Sequence, residues 1–353
     1  MSRVTGTGRE DRIATLAGGA AAGSALLGDM HRAVLRYGAI AALVAVGVPE
    51  QLRGGPLAVA DLASRCGAHA PTLDRLLRTT ASTGLLRTVG PGTYELTEAG
   101  QALLDGAELG RIKWHTDPET WNSVGELTET VRTGRAPFLD RHGSTYNYLS
   151  TRPATSAVFD ALMASLYGGI AARVAGTDVF PEAGTVVDIG GGNGASLAEI
   201  LHARPGLRGV LVELKRTVDV AREYLTEQGV AERAEVVAGD FFEAVPSGAE
   251  VYVLSHVIHN WSDDKCADIL HVVRSAMPEH GRLLVVEKLV PADDRPHFVK
   301  ELDIRMLAML EGKERSESEF AALFAGAGFR LDRVVDLGIG GEYVIVASPA
   351  PAA

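Results

Sequence analysis

The stretch Val186-Val187-Asp188-Ile189-Gly190-Gly191-Gly192-Asn193-Gly194 restricts the fold more than any other part of this chain. It reads as a buried strand running straight into a glycine turn. In α/β proteins that junction opens a ligand crevice at the carboxyl end of a parallel strand. The apolar run Gly209-Val210-Leu211-Val212 then ends in a second carboxylate, Glu213. A glycine loop lets backbone approach a nucleotide closely, and an acid at the end of the next strand can bind ribose hydroxyls. From Val179 onward strand and helix patterns alternate, with strands predicted at 185–189, 209–213, 234–238, 251–256, 282–287, 330–336 and 343–347. That alternation predicts a doubly wound, Rossmann-like α/β sheet.

The loop also discriminates between cofactors. A dinucleotide site wants G-x-G-x-x-G, its third glycine allowing close helix packing. Here Gly190, Gly192 and Gly194 are followed by Ala195, and an acid, Asp188, precedes them. S-adenosylmethionine has no pyrophosphate; its loop must clear an amino-acid tail and a ribose, and an acid before the glycines is characteristic of methyltransferases. The strand at 234–238 leads into Gly239-Asp240-Phe241-Phe242, where Asp240 and Phe241 can bind and cover an adenine. The competing readings are a ligand-free strand-to-helix turn and an ordinary loop acid beside a core Phe.

Catalytic groups in such sheets belong beyond the carboxyl strand ends. The strand Val251 to Ser255 is followed by His256-Val257-Ile258-His259-Asn260-Trp261. His259 can serve as a general base, since an imidazole of unperturbed pKa about 6.5 suits proton abstraction near neutrality. Two histidines three positions apart also raise a metal site, with Asp263 and Asp264 nearby. No third ligand is placed by the spacing, so no metal is expected. Glu287 ends the strand Arg282 to Val286, and Glu314 lies in Gly312-Lys313-Glu314-Arg315-Ser316. A carboxylate bonded to one imidazole nitrogen fixes the tautomer and raises basicity at the other. Glu314 alone is equally explained as an acid near a helix start.

The N-terminal part reads differently. Asp29 to Val46 supports an apolar helix broken by Gly47-Val48-Pro49, Val59 to Cys66 a short helix, and Pro71 to Thr83 an amphipathic one. Leu85 to Leu96 reads as a hairpin tipped by Gly90-Pro91-Gly92, which completes the outline of a winged helix. A DNA-binding role must then be weighed. Residues 1–110 carry ten arginines and ten acids, and the whole chain has a formal charge of −11. That balance argues against nucleic acid or an anionic membrane as partner and favours a packing or dimerisation role. The apolar run Gly38 to Val48 is too short to span a bilayer, and acids before the Ala/Gly-rich stretch at 17–27 spoil a signal-peptide reading. Cys66 and Cys266 form no zinc or redox motif, so a cytoplasmic location is expected.

Taken together, these motifs resemble the S-adenosylmethionine-dependent O-methyltransferases that include the plant caffeate and flavonoid enzymes, and their bacterial relatives acting on aromatic antibiotics. The resemblance spans nearly the whole chain: the winged-helix region, VDIGGGNG, GDFF, HNW, VVEKLVP and GKERSESEF. It implies three segments: a winged-helix dimerisation domain over 1–105, a helical linker lining the substrate pocket over 106–173, and a cofactor-binding catalytic domain over 174–353. His259 would be the general base, flanked by Glu287 and Glu314. Asp188, Gly190, Gly192, Glu213, Asp240, Phe241, Ser255 and Trp261 would face the cofactor. Trp114, Phe159, Met163, Tyr167, Asn260, Asp303, Met306 and Met309 would face a small aromatic acceptor. A homodimer with no metal, nucleic-acid or membrane partner is implied.

The chain departs from the family at two points. Asn260 replaces the Asp of the family's HDW. Ser255 stands where the plant enzymes carry a cofactor-contacting lysine, which alters that contact. Some bacterial relatives lack the His and act chiefly by holding the acceptor near the methyl group; this chain keeps it. The rival readings are a winged-helix regulator with a cofactor-sensing domain and a methyltransferase scaffold diverted to decarboxylation or hydroxylation.

Overall fold

The computed structural model describes residues 20–351 apart from residue 168; the first nineteen residues of the expected N-terminal domain lie outside them. The described chain forms two compact units. One holds residues up to Trp121 together with Arg152–Ser165, and the other holds Asn122–Thr151 and Leu166 onward. The division falls at Trp121 rather than at 105, and the segment read as a linker is shared between the units. Packing gives the reason for the first part: Ile112 and Leu103 are buried against Ala41 and Val44 of the long first helix, and Gly110 lies close against Leu162.

In the first unit, α1 (Ala20–Ala45) is followed by α2 (Val48–Leu52), β1 (Leu57–Ala58), α3 (Val59–Cys66), α4 (Ala70–Ala81), β2 (Leu86–Gly90), β3 (Thr93–Leu96) and α5 (Gly106–His115). Gly47, in the left-handed region, turns the chain between α1 and α2. The hairpin gains β1 as a third strand, in the order β1-β3-β2. Leu43, Leu62, Leu73, Leu77, Leu86 and Tyr94 form its core. On α1, Leu27, Met30, Val34 and Leu35 remain 55–68% exposed.

Helices α6 (Pro118–Gly125), α7 (Leu127–Thr133), α8 (Pro137–His142), α9 (Thr145–Ser150), α10 (Pro153–Tyr167) and α11 (Ile170–Ala175) come next. By length and composition the run Pro153–Ala175 matches a membrane span (mean hydropathy 1.3). It contains Asp160 and Arg173, however, and Arg173 Nη1 donates to the Leu337 carbonyl (3.0 Å).

The second unit is built on a seven-stranded sheet of β4 (Gly184–Ile189), β5 (Leu207–Glu213), β6 (Ala234–Ala238), β7 (Val251–Ser255), β8 (Arg282–Lys288), β9 (Phe329–Asp336) and β10 (Glu342–Pro349). Its order is β6-β5-β4-β7-β8-β10-β9. Five strands are parallel, and β10 and β9 close one edge antiparallel. Alternate residues sort to opposite faces, as the two-residue period requires. Val186, Val251, Val253, Leu284, Val286, Val344 and Val346 pack with α11, α12 (Ala195–Ala203) and α13 (Val218–Glu227). Their neighbours Val187, Tyr252, Leu254, Leu283, Val285 and Ile345 pack with α14 (Asp263–Ala276) and α16 (Glu317–Gly326). Helix α15 (Phe298–Met309) precedes α16. The strand order reverses between β4 and β7, so the crevice expected at such a switch point opens beyond their carboxyl ends.

Candidate active site

The loop after β4 is shaped by one buried acid. Asp188 is fully buried, and neither of its carboxylate oxygens has a hydrogen-bond partner. Burial, and then the Glu213 carboxylate, push its pKa up to about 7. The loop backbone lies directly on it: a Cβ at Gly191 would stand 2.1 Å from Asp188 Oδ2. Gly190, Gly192 and Gly194 all take left-handed backbone, which glycine alone adopts without penalty. Gly194 also supplies the close packing sought in the sequence one position later, since a Cβ there would meet Leu225 and Leu211 at 3.2–3.3 Å.

Glu213, at the end of β5, is tied to the same loop. Its Oε1 accepts from the Gly192 N–H (3.0 Å) and its Oε2 from the Leu214 N–H (2.8 Å). Beyond β6, Asp240 Oδ1 accepts from the Phe242 N–H (2.9 Å). Phe241 packs beside Gly190, and Trp261 meets Phe242 edge-on at 4.9 Å between centroids. Ser255 is the last residue of β7, in register with Val286.

His256 follows it and is the only non-glycine residue among those described with a left-handed backbone (φ 53°). Asn260 Nδ2 donates to the His256 carbonyl (2.9 Å), so the residue expected to face the acceptor also holds this turn. The turn brings a short 3-10 segment, Ile258–Asn260, back over the end of β8. There the His259 N–H donates to Glu287 Oε1 (3.1 Å). The His259 Nδ1 lies 3.0 Å from Glu314 Oε1 and 3.4 Å from Glu287 Oε2. Burial works to lower the His259 pKa, but the charge of Glu287 and the bond from Glu314 outweigh it, and the net shift is upward. Burial pushes Glu287 up to about 7, with His259 opposing and Glu314 adding to the rise. The Glu314 acceptor at Nδ1, with the Glu287 carboxylate beside it, favours the proton on that nitrogen, which leaves the lone pair of the neutral ring on Nε2. The structure thus brings together the three residues read as base and flanking acids.

Three supports were not read as supports in the sequence. Arg315 is 1% exposed and donates to the carbonyls of Ile258 (3.2 Å), Lys313 (3.2 Å) and Trp261 (3.0 Å) and to Asp263 Oδ1 (2.8 Å). It ties the turn carrying His259 to the loop carrying Glu314. Gly312 touches that turn so closely that a Cβ would stand 1.9 Å from the His259 carbonyl oxygen. Asp303, expected in the acceptor pocket, accepts from the Glu314 N–H (2.8 Å) and so holds the flanking acid.

Of the other expected acceptor residues, Trp114 and Phe159 meet at a tilt of 60° in the first unit (4.9 Å between centroids), where Met163 is half-buried. In the second unit, the Tyr167 ring packs at a tilt against His256, 4.1 Å between centroids, and Met306 and Met309 are buried.

Comparison with known proteins gives concordant findings. A family profile described as an O-methyltransferase domain matches residues 124–330, and one described as an O-methyltransferase dimerisation domain matches 33–106. The mitomycin biosynthesis 6-O-methyltransferase of Streptomyces lavendulae is 38% identical over 331 residues, covering 91% of this chain and 93% of that protein. A solved O-methyltransferase from neocarzinostatin biosynthesis, in complex with S-adenosylmethionine and 2-hydroxy-5-methyl naphthoic acid, superposes with a TM-score of 0.75. It is 33% identical and covers 89% of this chain and 95% of its own. An aclacinomycin 10-hydroxylase of Streptomyces purpurascens is 34% identical over 297 residues, covering 80% of this chain and 78% of that protein.

Proposed function

The chain belongs to the S-adenosylmethionine-dependent O-methyltransferases, and from that premise we propose that it methylates a phenolic hydroxyl of a small aromatic secondary metabolite with His259 as general base. The observation that carries this reading is the buried His259 imidazole bonded at Nδ1 to Glu314, with Glu287 holding its backbone N–H and placing a carboxylate beside the ring. Relatives of this chain include a hydroxylase; a base flanked by two carboxylates favours methylation here, because it suits removal of the proton from an acceptor hydroxyl.

The residues present fit the cofactor. Asp188 offers two buried carboxylate oxygens without partners, matched to an ammonium group, beside a loop whose backbone is bare of side chains at Gly190–Gly192. Glu213, at the neighbouring strand end, suits ribose hydroxyls, and Asp240, Phe241 and Trp261 suit the adenine. When bound, S-adenosylmethionine supplies an electrophilic methyl carbon on a positively charged sulfur. His259 Nε2 takes the proton of the acceptor hydroxyl. A free phenol has a pKa of about 10, so proton removal in step with attack lowers the barrier. Glu314 and Glu287 stabilise the imidazolium that forms, and Arg315 and Asp303 hold the two loops in register. Tyr167, Met306 and Met309 supply aromatic and apolar surface to the acceptor.

The chain acts as a homodimer. The matched dimerisation domain and the exposed apolar residues Leu27, Met30, Val34 and Leu35 of α1 support this, since apolar faces of that kind mark interaction surfaces. Sedimentation at micromolar concentration is expected to give a dimer; a monomer would remove this part of the reading. Its site of action is the cytoplasm, where two free cysteines stay reduced.

The deciding experiment is calorimetric titration with S-adenosylhomocysteine, followed by a screen of phenols for methyl transfer. Micromolar binding is expected, and no binding would refute the proposal. The affinity should depend on pH through Asp188, whose pKa in the free protein is raised to about 7. Above that value the carboxylate is already ionised; below it, pairing with the ligand's ammonium must expel a proton. Affinity is therefore expected to fall as pH drops, by about tenfold per unit well below 7. Asp188→Asn should bind more weakly and show no such slope; an unchanged slope would exclude Asp188 as the ammonium partner.

A further inference from the structure

We propose that His256, His259 and Glu287 form an inhibitory site for a borderline divalent cation of the zinc type, separate from any cofactor of the reaction. The spacing of the two histidines suggests ligation without supplying a third group. The fold supplies it from β8: His256 Nδ1 lies 3.8 Å and His259 Nδ1 3.4 Å from Glu287 Oε2, and one ligand atom from each residue lies within 4.8 Å of the others. Tetrahedral zinc with bonds of about 2.0–2.2 Å sets its ligands about 3.3–3.5 Å apart. The three atoms can therefore reach one ion with small side-chain shifts.

Two of the three ligand atoms carry no hydrogen bond, and the third, His259 Nδ1, would exchange its bond to Glu314 Oε1 for the ion. Neither ring nitrogen of His256 has a hydrogen-bond partner, and Glu287 Oε2 has none, although buried polar atoms ordinarily find a partner, a water or an ion. His256 sits in a left-handed backbone, uncommon for any residue but glycine, and conformations of that kind gather at functional sites. Asp263, nearer in sequence, is excluded as a ligand because it pairs with Arg315 and Lys313. The one buried lysine beside the cluster, Lys288, is paired with Glu342. Two imidazoles and a carboxylate suit zinc, cobalt or nickel better than magnesium or calcium.

The consequence for catalysis follows from the tautomer. As base, His259 carries its proton on Nδ1 and its lone pair on Nε2. A cation bound at Nδ1 needs the lone pair there, so the single ring proton moves to Nε2. That nitrogen then donates and cannot accept the acceptor's proton. Binding of the ion switches the base off without touching Asp188 or the glycine loop.

The inference rests on the proposed role of His259 for its effect on turnover, but binding can be read without an acceptor. Untagged protein is titrated with zinc chloride by calorimetry and with cobalt chloride by visible absorption, and compared with His256→Ala and His256→Asn. Asparagine tolerates the left-handed backbone and so guards against misfolding. Wild type should bind one ion per chain and develop the intense absorption of low-coordinate cobalt, with both variants weakened at least tenfold. S-adenosylhomocysteine affinity should not change with zinc. With a phenol that the enzyme methylates, zinc should inhibit wild type, a chelator should restore it, and the variants should resist. Equal zinc binding by wild type and both variants, or none by wild type, overturns the inference. Zinc binding without methylation of any phenol would leave this inference standing and remove only the proposed activity.

Discussion

Replacing His259 with alanine is expected to lower kcat by about 10²–10⁴-fold while S-adenosylhomocysteine affinity stays within about twofold. The reasoning rests on separation. The groups matched to the cofactor's amino-acid tail and ribose come from the ends of β4 and β5, and the base comes from beyond β7, where Trp261 is the neighbour that bears on the adenine. His259 touches Glu287 and Glu314 and none of the loop that packs on Asp188. Its loss removes a proton acceptor and leaves the nucleotide side intact. Glu314→Gln should cost less, because the amide oxygen still accepts from Nδ1 but carries no charge to stabilise the imidazolium. Turnover of His259→Ala close to wild type would exclude base catalysis and leave positioning alone as the source of rate.

Gly312→Ala is expected to be nearly as damaging, although residue 312 has no side chain and no chemistry. The added Cβ would stand 1.9 Å from the His259 carbonyl oxygen and 2.6 Å from the Trp261 nitrogen. Both contacts are backbone, so no flexible side chain can swing away. One of the two segments must shift by more than 1 Å, and a displacement of that size can cost about 10²-fold in rate. Kinetics on Gly312→Ala beside Gly326→Ala provide the check, since a Cβ at Gly326 meets nothing within 4 Å. Full activity in Gly312→Ala would show that the loop relaxes freely and that the contact does not set the position of His259.

The sheet was legible in the sequence because its strands carry alternating or continuous apolar runs, and each run met a turn where the structure ends a strand. All seven appear within two residues of their expected bounds, the largest differences being the start of β5 and the end of β10. His259, Glu287 and Glu314 could each be placed beyond a strand, but only the fold makes them converge. What stayed hidden were contacts to backbone. Asn260 and Asp303 read as acceptor residues from their positions in the family's motifs; their backbone partners, the His256 carbonyl and the Glu314 N–H, leave no mark in a sequence. Arg315 was equally opaque, since arginine usually lies at the surface and nothing local announces a fully buried one. His256 likewise betrays nothing of its left-handed backbone.

The partnerless carboxylate of Asp188 has a consequence for the life of the protein itself. In an unfolded chain this acid ionises at about 3.9; in the folded, ligand-free protein it does so only near 7. As pH rises between those values the empty fold loses stability, by a few kcal/mol in order of magnitude. A ligand that neutralises the carboxylate returns that stability and adds its own by mass action. Chains that open transiently are the ones proteases remove. The standing amount of this enzyme in a cell should therefore follow the supply of its methyl donor, falling by degradation when the donor is scarce.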